Sequence, residues 1–346
     1  MAFTNINKSS EYFNSVLYTG NGSTQSITGV NFQPDLVWIK NRNSTNEHNL
    51  TDVVRGATKY LHSNLTQGET TAANSLTSFD SDGFSLGSNA NFNTNTNTYV
   101  AWNWLAGGTG VSNTNGSIAS TVSANTTAGF SIVSFTGNKT AGATIGHGLG
   151  KPVDCIAIKN RIDSAQWSFY HRSLGGTKYM AFNSTSGAGT ASTQWNNTDP
   201  DSSVFTVGTS NNTNDTGDGM IAYCFASIKG FSKFGSYTGN GSTDGPFVYT
   251  GFKPAMIIIK RTDSTGDWHI LDNKRNTFNE VENYLYPNLS DAEYTGTGND
   301  GLDFLSNGFK LSINYTALNA SGGTYIYMAF AENPLVAGNY VPTTAR

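Results

Sequence analysis

Five histidines, His48, His62, His147, His171 and His269, are the groups the chain offers as general bases near neutral pH. A serine hydrolase needs a nucleophile, a base and an orienting acid, and none of the five lies in a recognisable nucleophile motif. His147 stands among glycines in IGHGLGKP and reads as a turn residue. Glycoside hydrolysis needs two carboxylates on facing strands. Asp52 and Asp272 belong to different parts of the chain, and Glu280 and Glu282 read as a solvated loop. No catalytic residue is assigned, and the chain is expected not to be an enzyme. For metals, Asp80, Asp82 and Gly83 in SFDSDGF have the spacing that opens a calcium loop. Phe84 and Leu86 return at once to strand periodicity and no bidentate Glu follows, so the pair is a weak Ca²⁺ candidate and a turn is preferred. The oxygen-rich loops 211–219 and 296–303 rank with it. No metal or cofactor is assigned. Aromatics are the stronger lead, because sugars stack their apolar faces on Trp or Tyr while nearby polar groups take the hydroxyls. Trp38, Trp102, Trp104, Trp167 and Trp268 fall in repeating strands and read as core. Trp195, in the polar loop STQWNNTDP, is expected to be exposed for stacking, followed by Tyr284, Tyr286 and Tyr294.

These residues must be positioned by a repeated framework. YTGNGST at 18–24 returns as FTGNKTA at 135–141 and as YTGNGST at 237–243. Each copy follows a strand pattern and carries the Asn-Gly chemistry of a hairpin turn. Next come FQPDLVWIKNR, GKPVDCIAIKNR and FKPAMIIIKRT, with Pro34, Pro152 and Pro254 at strand starts and Lys40, Lys159 and Lys260 at the ends. Eight residues after each lysine stand His48, Trp167 and Trp268; twelve after, Asp52, His171 and Asp272. GATKYL at 56–61 is matched by GGTKYM at 175–180, whereas the third copy carries NEVENYLYPNLSDAEY at 279–294, a rebuilt loop. Each copy closes on two strands that put Phe84, Phe205 and Phe309 in one role and Trp104, Phe225 and Phe330 in another.

The expected fold is all-β, three tandem β-sandwich repeats of jelly-roll or lectin-like type. The divisions are a lead at 1–10, unit one at 11–106, a flexible or surface-draped Gly/Ser/Asn-rich linker at 107–128, unit two at 129–228, unit three at 229–333 and a tail at 334–346. Units two and three, with a short connection, are expected to pack as a rigid pair. Only 13% of residues are charged, against about 25% in an average soluble domain, and Asn, Ser, Thr and Gly fill the difference. With 16 Tyr, 20 Phe and 6 Trp the chain has large side chains to bury, which a disordered chain lacks. A net charge of −4 gives no footprint for nucleic acid. No apolar run approaches a membrane span, and residues 1–10 lack the features of a signal peptide, so synthesis in a cytoplasm without membrane insertion is expected. Cys155 and Cys224, in apolar strands, read as free buried thiols.

The strings VVRGATKYL, LTSFDSDGFSLGSNAN, YVAWNW, GFSIVSFTGN and FSKFGSYTGNGSTDGPFVYTGFKPAMIIIKRTDSTGDWHILD resemble a family of repeat proteins from marine bacteriophages, and the resemblance runs over essentially the whole chain. It implies a β-rich structural protein of the virion, made in the host cytoplasm, a tail fibre or surface protein without catalytic residues. On that basis the expected role is a fibre or adhesin whose loop tips bind host-surface glycan, as a homo-oligomer attached to other tail or capsid proteins. The alternative is a capsid decoration or head-fibre protein that stabilises the shell. The short lead before unit one favours that alternative, because a tail fibre ordinarily carries an attachment domain and a shaft.

Overall fold

A computed structural model describes residues 4–296 and 301–336. Its framework follows from the apolar runs that end in lysine. Leu36–Asn41, Cys155–Asn160 and Phe252–Arg261 are buried on both faces or nearly so, and a strand of that kind must lie inside a sheet that is itself covered twice. Each is flanked by antiparallel neighbours in one recurring order. In unit one the sheet runs Phe13–Thr19, Thr98–Trp104, Leu36–Asn41, Asn49–Asp52. In unit two the order is Phe130–Thr136, Gly219–Phe225, Cys155–Asn160, Ser168–His171, and in unit three Ser232–Thr238, Thr324–Pro334, Phe252–Arg261, Trp268–Asp272. The protein is all-β and its sheets are antiparallel.

Alternation along these strands feeds two different cores. The outward side chains pack under a small outer sheet in each unit. Ile39 and Tyr99 meet Phe84 and Leu86; Ile158 and Val133 meet Phe205 and Val207; Ile259 and Tyr327 meet Phe309 and Leu311. The inward side chains of all three sheets meet one another in a single central core, which includes Trp38, Trp102, Tyr223, Ile258 and Met328. Trp104, Phe225 and Phe330, which hold one position in the three units, converge there with ring centroids 6.4, 5.5 and 5.8 Å apart pairwise. They mark an approximate threefold axis.

The units close into a ring around that axis through one repeated junction. Backbone N–H groups of Glu69, Ala188 and Glu293 donate to the carbonyls of Arg161, Thr262 and Arg42, at 2.7, 2.8 and 2.7 Å. Unit one thus grips unit two, unit two grips unit three, and unit three grips unit one; this heterologous contact closes because three copies complete the turn. The lysines that end the runs are buried against these junctions. Lys159 donates to the carbonyls of Asn160 and, across the junction, Thr66; Lys260 does the same to Arg261 and Thr185. Burial pushes the ammonium groups of Lys40, Lys159 and Lys260 down to about 8.

Two junctions carry a buried ion quartet. Arg55 donates to Asp52 at 2.5 Å and to Glu69 at 3.3 Å, Arg161 grips Glu69 with two bonds of 3.0 Å, and Tyr223 of unit two donates to Asp52 at 2.8 Å. At the junction of units three and one, Arg275 bonds Asp272 and Glu293, Arg42 grips Glu293, and Trp102 Nε1 donates to Asp272 at 3.0 Å. The third junction is neutral. His171 replaces the aspartate, Leu174 the arginine, Ala188 the glutamate and Thr262 the second arginine. The Tyr327 carbonyl can only accept, so His171 Nε2–H donates to it at 3.3 Å, and His171 Nδ1 receives the Ser173 N–H at 3.1 Å.

The repeated turn differs from the hairpin expected of it. Phe13–Thr19 pairs with Thr98–Trp104, whereas the strand after the turn, Gln25–Thr28, pairs with Gly83–Leu86 in the outer sheet. The turn therefore carries the chain from one sheet to the other. Its asparagine serves this crossing: the amides of Asn21, Asn138 and Asn240 donate to the side-chain oxygens of Asn93, Asn214 and Asn319 at 2.9, 2.8 and 2.8 Å. Its first glycine is needed because a Cβ at Gly20, Gly137 or Gly239 would sit 2.2, 2.1 or 2.4 Å from a backbone oxygen of the facing turn. The stretch 107–128 also differs from a draped linker. Val111–Asn113 and Ser120–Asn125 add two strands to the unit-two sheet, held by buried Ile118 and Val122. Every junction is packed, not only that of units two and three. Cys155 faces the central core and Cys224 the unit-two core, on opposite faces of one sheet, and both are free.

Replacing Arg55 by Ala leaves Asp52 buried without its cation, while Glu69 keeps Arg161, and is expected to cost about 3–5 kcal/mol in chemical denaturation. Replacing the whole quartet by its neutral counterpart, Asp52→His, Arg55→Leu, Glu69→Ala and Arg161→Thr together, should cost less than that single change. A second expectation concerns acid. Burial holds His171 and His269 at about 4 and His48 well below its ordinary value. The unfolded chain therefore binds more protons than the folded one between about pH 6.5 and 4, and stability falls as pH falls through that window. Each such histidine contributes a slope of about 1.4 kcal/mol per pH unit. Denaturation midpoints of His171→Gln measured from pH 7 to 4.5 should show a slope shallower by about one histidine.

Candidate binding site

The rebuilt loop of unit three gathers aromatic residues around one imidazole. His269, fully buried on Trp268–Asp272, meets the rings of Tyr284, Tyr286 and Tyr315 edge to face, with centroids 5.5, 5.1 and 5.8 Å away. Tyr294 stacks on Tyr284 at 5.6 Å. The loop is pinned from both sides. Pro287 O accepts from Ser63 Oγ of unit one at 2.7 Å, and Glu293 is the acid of the ion quartet that reaches Arg42. The tyrosines are therefore carried on a braced segment at the junction of units three and one.

Electrostatics keep the hub neutral. His269 Nδ1 lies 3.1 Å from the Asp267 carbonyl, which can only accept, so Nδ1 carries the proton. Nε2 is then a lone pair with no protein hydrogen-bond partner among the described residues, a rare condition for a buried nitrogen. Asp267 is fixed at the edge of the cluster by Asn288, which donates to its carboxylate at 2.7 Å. Burial raises the Tyr286 and Tyr315 hydroxyls above their ordinary value, so both stay protonated donors. At the surface the cluster shows Tyr294, 40% exposed, and Tyr315, 42% exposed, with Tyr286 half-buried against the hub. This arrangement brings aromatic rings together with hydroxyl donors and a carboxylate.

Of the residues picked out in the sequence, Tyr286 and Tyr294 reach this surface, while Tyr284 is buried at 2% exposure and supports them. Trp195 is a correction. It is 1% exposed, packs edge to face on Tyr170 at 5.7 Å and belongs to the unit-two core. The polar residues around it form a single helical turn, Ser192–Trp195, whose one apolar side points inward, so a polar loop composition concealed a core anchor. Asp80 and Asp82 are engaged in their turn: Asp82 accepts the amides of Gly29 and Asn31, and Asp80 the hydroxyls of Ser78 and Ser85. Loop 211–219 brings Asp215 and Asp218 within 4.8 Å of Asp163, and Asn160 and Lys139 already approach two of these acids. Part of loop 296–303 lies outside the described residues.

Sequence reasoning weighed His269 only as a general base and passed over Tyr315, which left a signal. The short helices Ala90–Asn93 and Asn211–Asn214 are capped by Asn89 and Ser210, whose side chains accept from the backbone; at the same place before Thr316–Asn319 stands Tyr315, which makes no cap. A poor cap where two sister positions carry good ones marks a residue kept for another purpose. Likewise His269 occupies the register position held by Asn49 and Ser168.

A protein-family model described as a domain of unknown function (DUF7483) matches residues 8–334. No curated protein and no solved structure matches the chain.

Trp195→Ala is expected to destabilise the fold by about 3–5 kcal/mol in denaturant titration, as for a large core side chain. Acrylamide should quench Trp195 no better than the other buried tryptophans.

Proposed function

The chain belongs to the DUF7483 family of unknown function, which spans nearly its whole length, and on that premise we propose that it is a surface protein of a bacteriophage virion that binds host-envelope glycan through the tyrosine cluster of unit three. The observation that carries this reading is local departure from the repeated framework. Where the other units place Asn49 or Ser168 and a capping Asn89 or Ser210, unit three places His269 and Tyr315, and its rebuilt loop adds Tyr286 and Tyr294. Aromatic faces beside a fixed carboxylate suit a pyranose, whose C–H face stacks on a ring while its hydroxyls find donors and acceptors. The resemblance of the repeated strings to phage repeat proteins supports the virion setting. Such a protein is an adhesin without catalytic function, and many copies on a particle would make weak single sites sufficient.

A second reading, decoration of the capsid, is favoured by one observation. The closed ring gives a single chain an approximate threefold axis at Trp104, Phe225 and Phe330, a shape that fits a threefold position on a shell. Gold labelling of virions separates the two: label at the tail supports the adhesin, label over the head supports decoration.

The binding claim is tested on a glycan array with Tyr294→Ala combined with Tyr315→Asn. Asparagine restores the missing cap, so the melting temperature is expected to hold or rise, while signal falls at least tenfold. Unchanged glycan signal in a folded double variant would remove the tyrosines from the site.

A further inference from the structure

We infer that the junction between units two and three holds a second binding site, a cleft for a neutral saccharide of one or two rings. It lies in a different junction from the tyrosine cluster and stands whether or not that cluster binds glycan. The inference begins from the broken symmetry of the ring. At the other two junctions the space beside the contact of Glu69 with Arg161, and of Glu293 with Arg42, is occupied by guanidinium and carboxylate groups, with Arg55 and Arg275 wholly buried. In the third, Leu174, Ala188 and Thr262 stand in place of two arginines and a glutamate. The backbone contact survives, since the Ala188 N–H still reaches the Thr262 carbonyl at 2.8 Å. What the shorter side chains leave is a cleft of about 540 Å³, bounded by Leu174 and Ala188 on one side and by Thr262 on the other. Ligand sites commonly span about 300–1,000 Å³.

The lining selects the ligand. Ser236 and Thr238 place exposed hydroxyls along the unit-three side, each able to donate and accept, the Thr324 hydroxyl pairs with Thr262, and half-buried Leu174 and Ala188 supply an apolar patch. The charges present are committed or exposed. Asp263 is held by the Arg261 guanidinium and accepts the Thr324 amide, and Lys178 is an exposed lysine at the edge. His171, which replaces the junction aspartate, is neutral and spent on Tyr327 and Ser173. A cation therefore finds no free anion, and an anion finds a carboxylate beside it. A pyranose, with one apolar face and a rim of hydroxyls, matches a patch of Leu174 and Ala188 bordered by hydroxyls.

The test is saturation-transfer NMR on the full chain with a panel of neutral hexoses, N-acetylhexosamines and their disaccharides. At least one is expected to receive transfer from the native protein. That signal should fall at least tenfold in Ala188→Trp, which fills the cleft from its half-buried wall, and in Leu174→Arg, Ala188→Glu, Thr262→Arg, which rebuilds the sister junction. It should persist in Tyr294→Ala, Tyr315→Asn, which separates this site from the tyrosine cluster. If the triple variant does not fold, Ala188→Trp decides. No transfer to any sugar of the panel, transfer that survives in folded Ala188→Trp, or transfer abolished by the tyrosine variant would each overturn the proposal.

Discussion

A sheet that is apolar on one face needs one cover; each of the three inner sheets here, four-stranded in units one and three and eight-stranded in unit two, is apolar on both. Trp38 and Trp102 point to one side of the first sheet while Val37, Ile39 and Tyr99 point to the other, and the same division recurs with Ala157 and Ile158, and with Ile258 and Ile259. The outer sheet of each unit covers one face. The other can be covered only by the inner faces of the remaining two units, because a sheet face left bare is an exposed apolar patch of the kind that drives association. The ring, its central core and its junctions all follow from that second face.

The junctions show how the ring is finished at its polar edges. Polar groups brought into the seams must be paired: a backbone bond from Glu69, Ala188 or Glu293 recurs at all three, and at two of them a buried lysine and a buried tryptophan also donate to backbone across the seam. Two seams then add charge, in quartets where every carboxylate meets an arginine. The neutral seam shows that the ring closes without charge, so the quartets are one of two solutions to the same contact. Departure from the repeat is also where both proposed sites lie. The tyrosine cluster arises where unit three abandons the loop shared by units one and two, and the neutral cleft where unit two abandons the ion quartet.

Much of this architecture was legible in residue spacing. The equal offsets from Lys40, Lys159 and Lys260 to Asp52, His171 and Asp272 reflect the register of two paired strands, which period-two alternation exposes directly. What spacing could not convey was which sheet a strand joins. The TGN turn has hairpin chemistry, yet its neighbours pair elsewhere, because pairing is decided by burial across the sandwich and not by the turn alone. The central core was hidden for a related reason: an unbroken apolar run states that both faces are buried without stating against what. At the proposed site, the rebuilt loop 279–294 and its Tyr286 and Tyr294 were visible in the sequence as a departure from the repeat. Trp195 misled because one apolar residue in a polar segment is as consistent with an anchor as with a platform. His269 and Tyr315 were silent until their sister positions could be compared in three dimensions.

The most direct measure of a shared core is whether the chain unfolds as one body. Scanning calorimetry of the full chain, with the calorimetric enthalpy compared with the van't Hoff enthalpy, reads that cooperativity. A ring closed on Trp104, Phe225 and Phe330 predicts a single transition with a ratio of about one. Three resolved transitions, or one with a ratio of about three, would mean that each unit is stable alone, and would contradict an account in which every inner sheet depends on the other two.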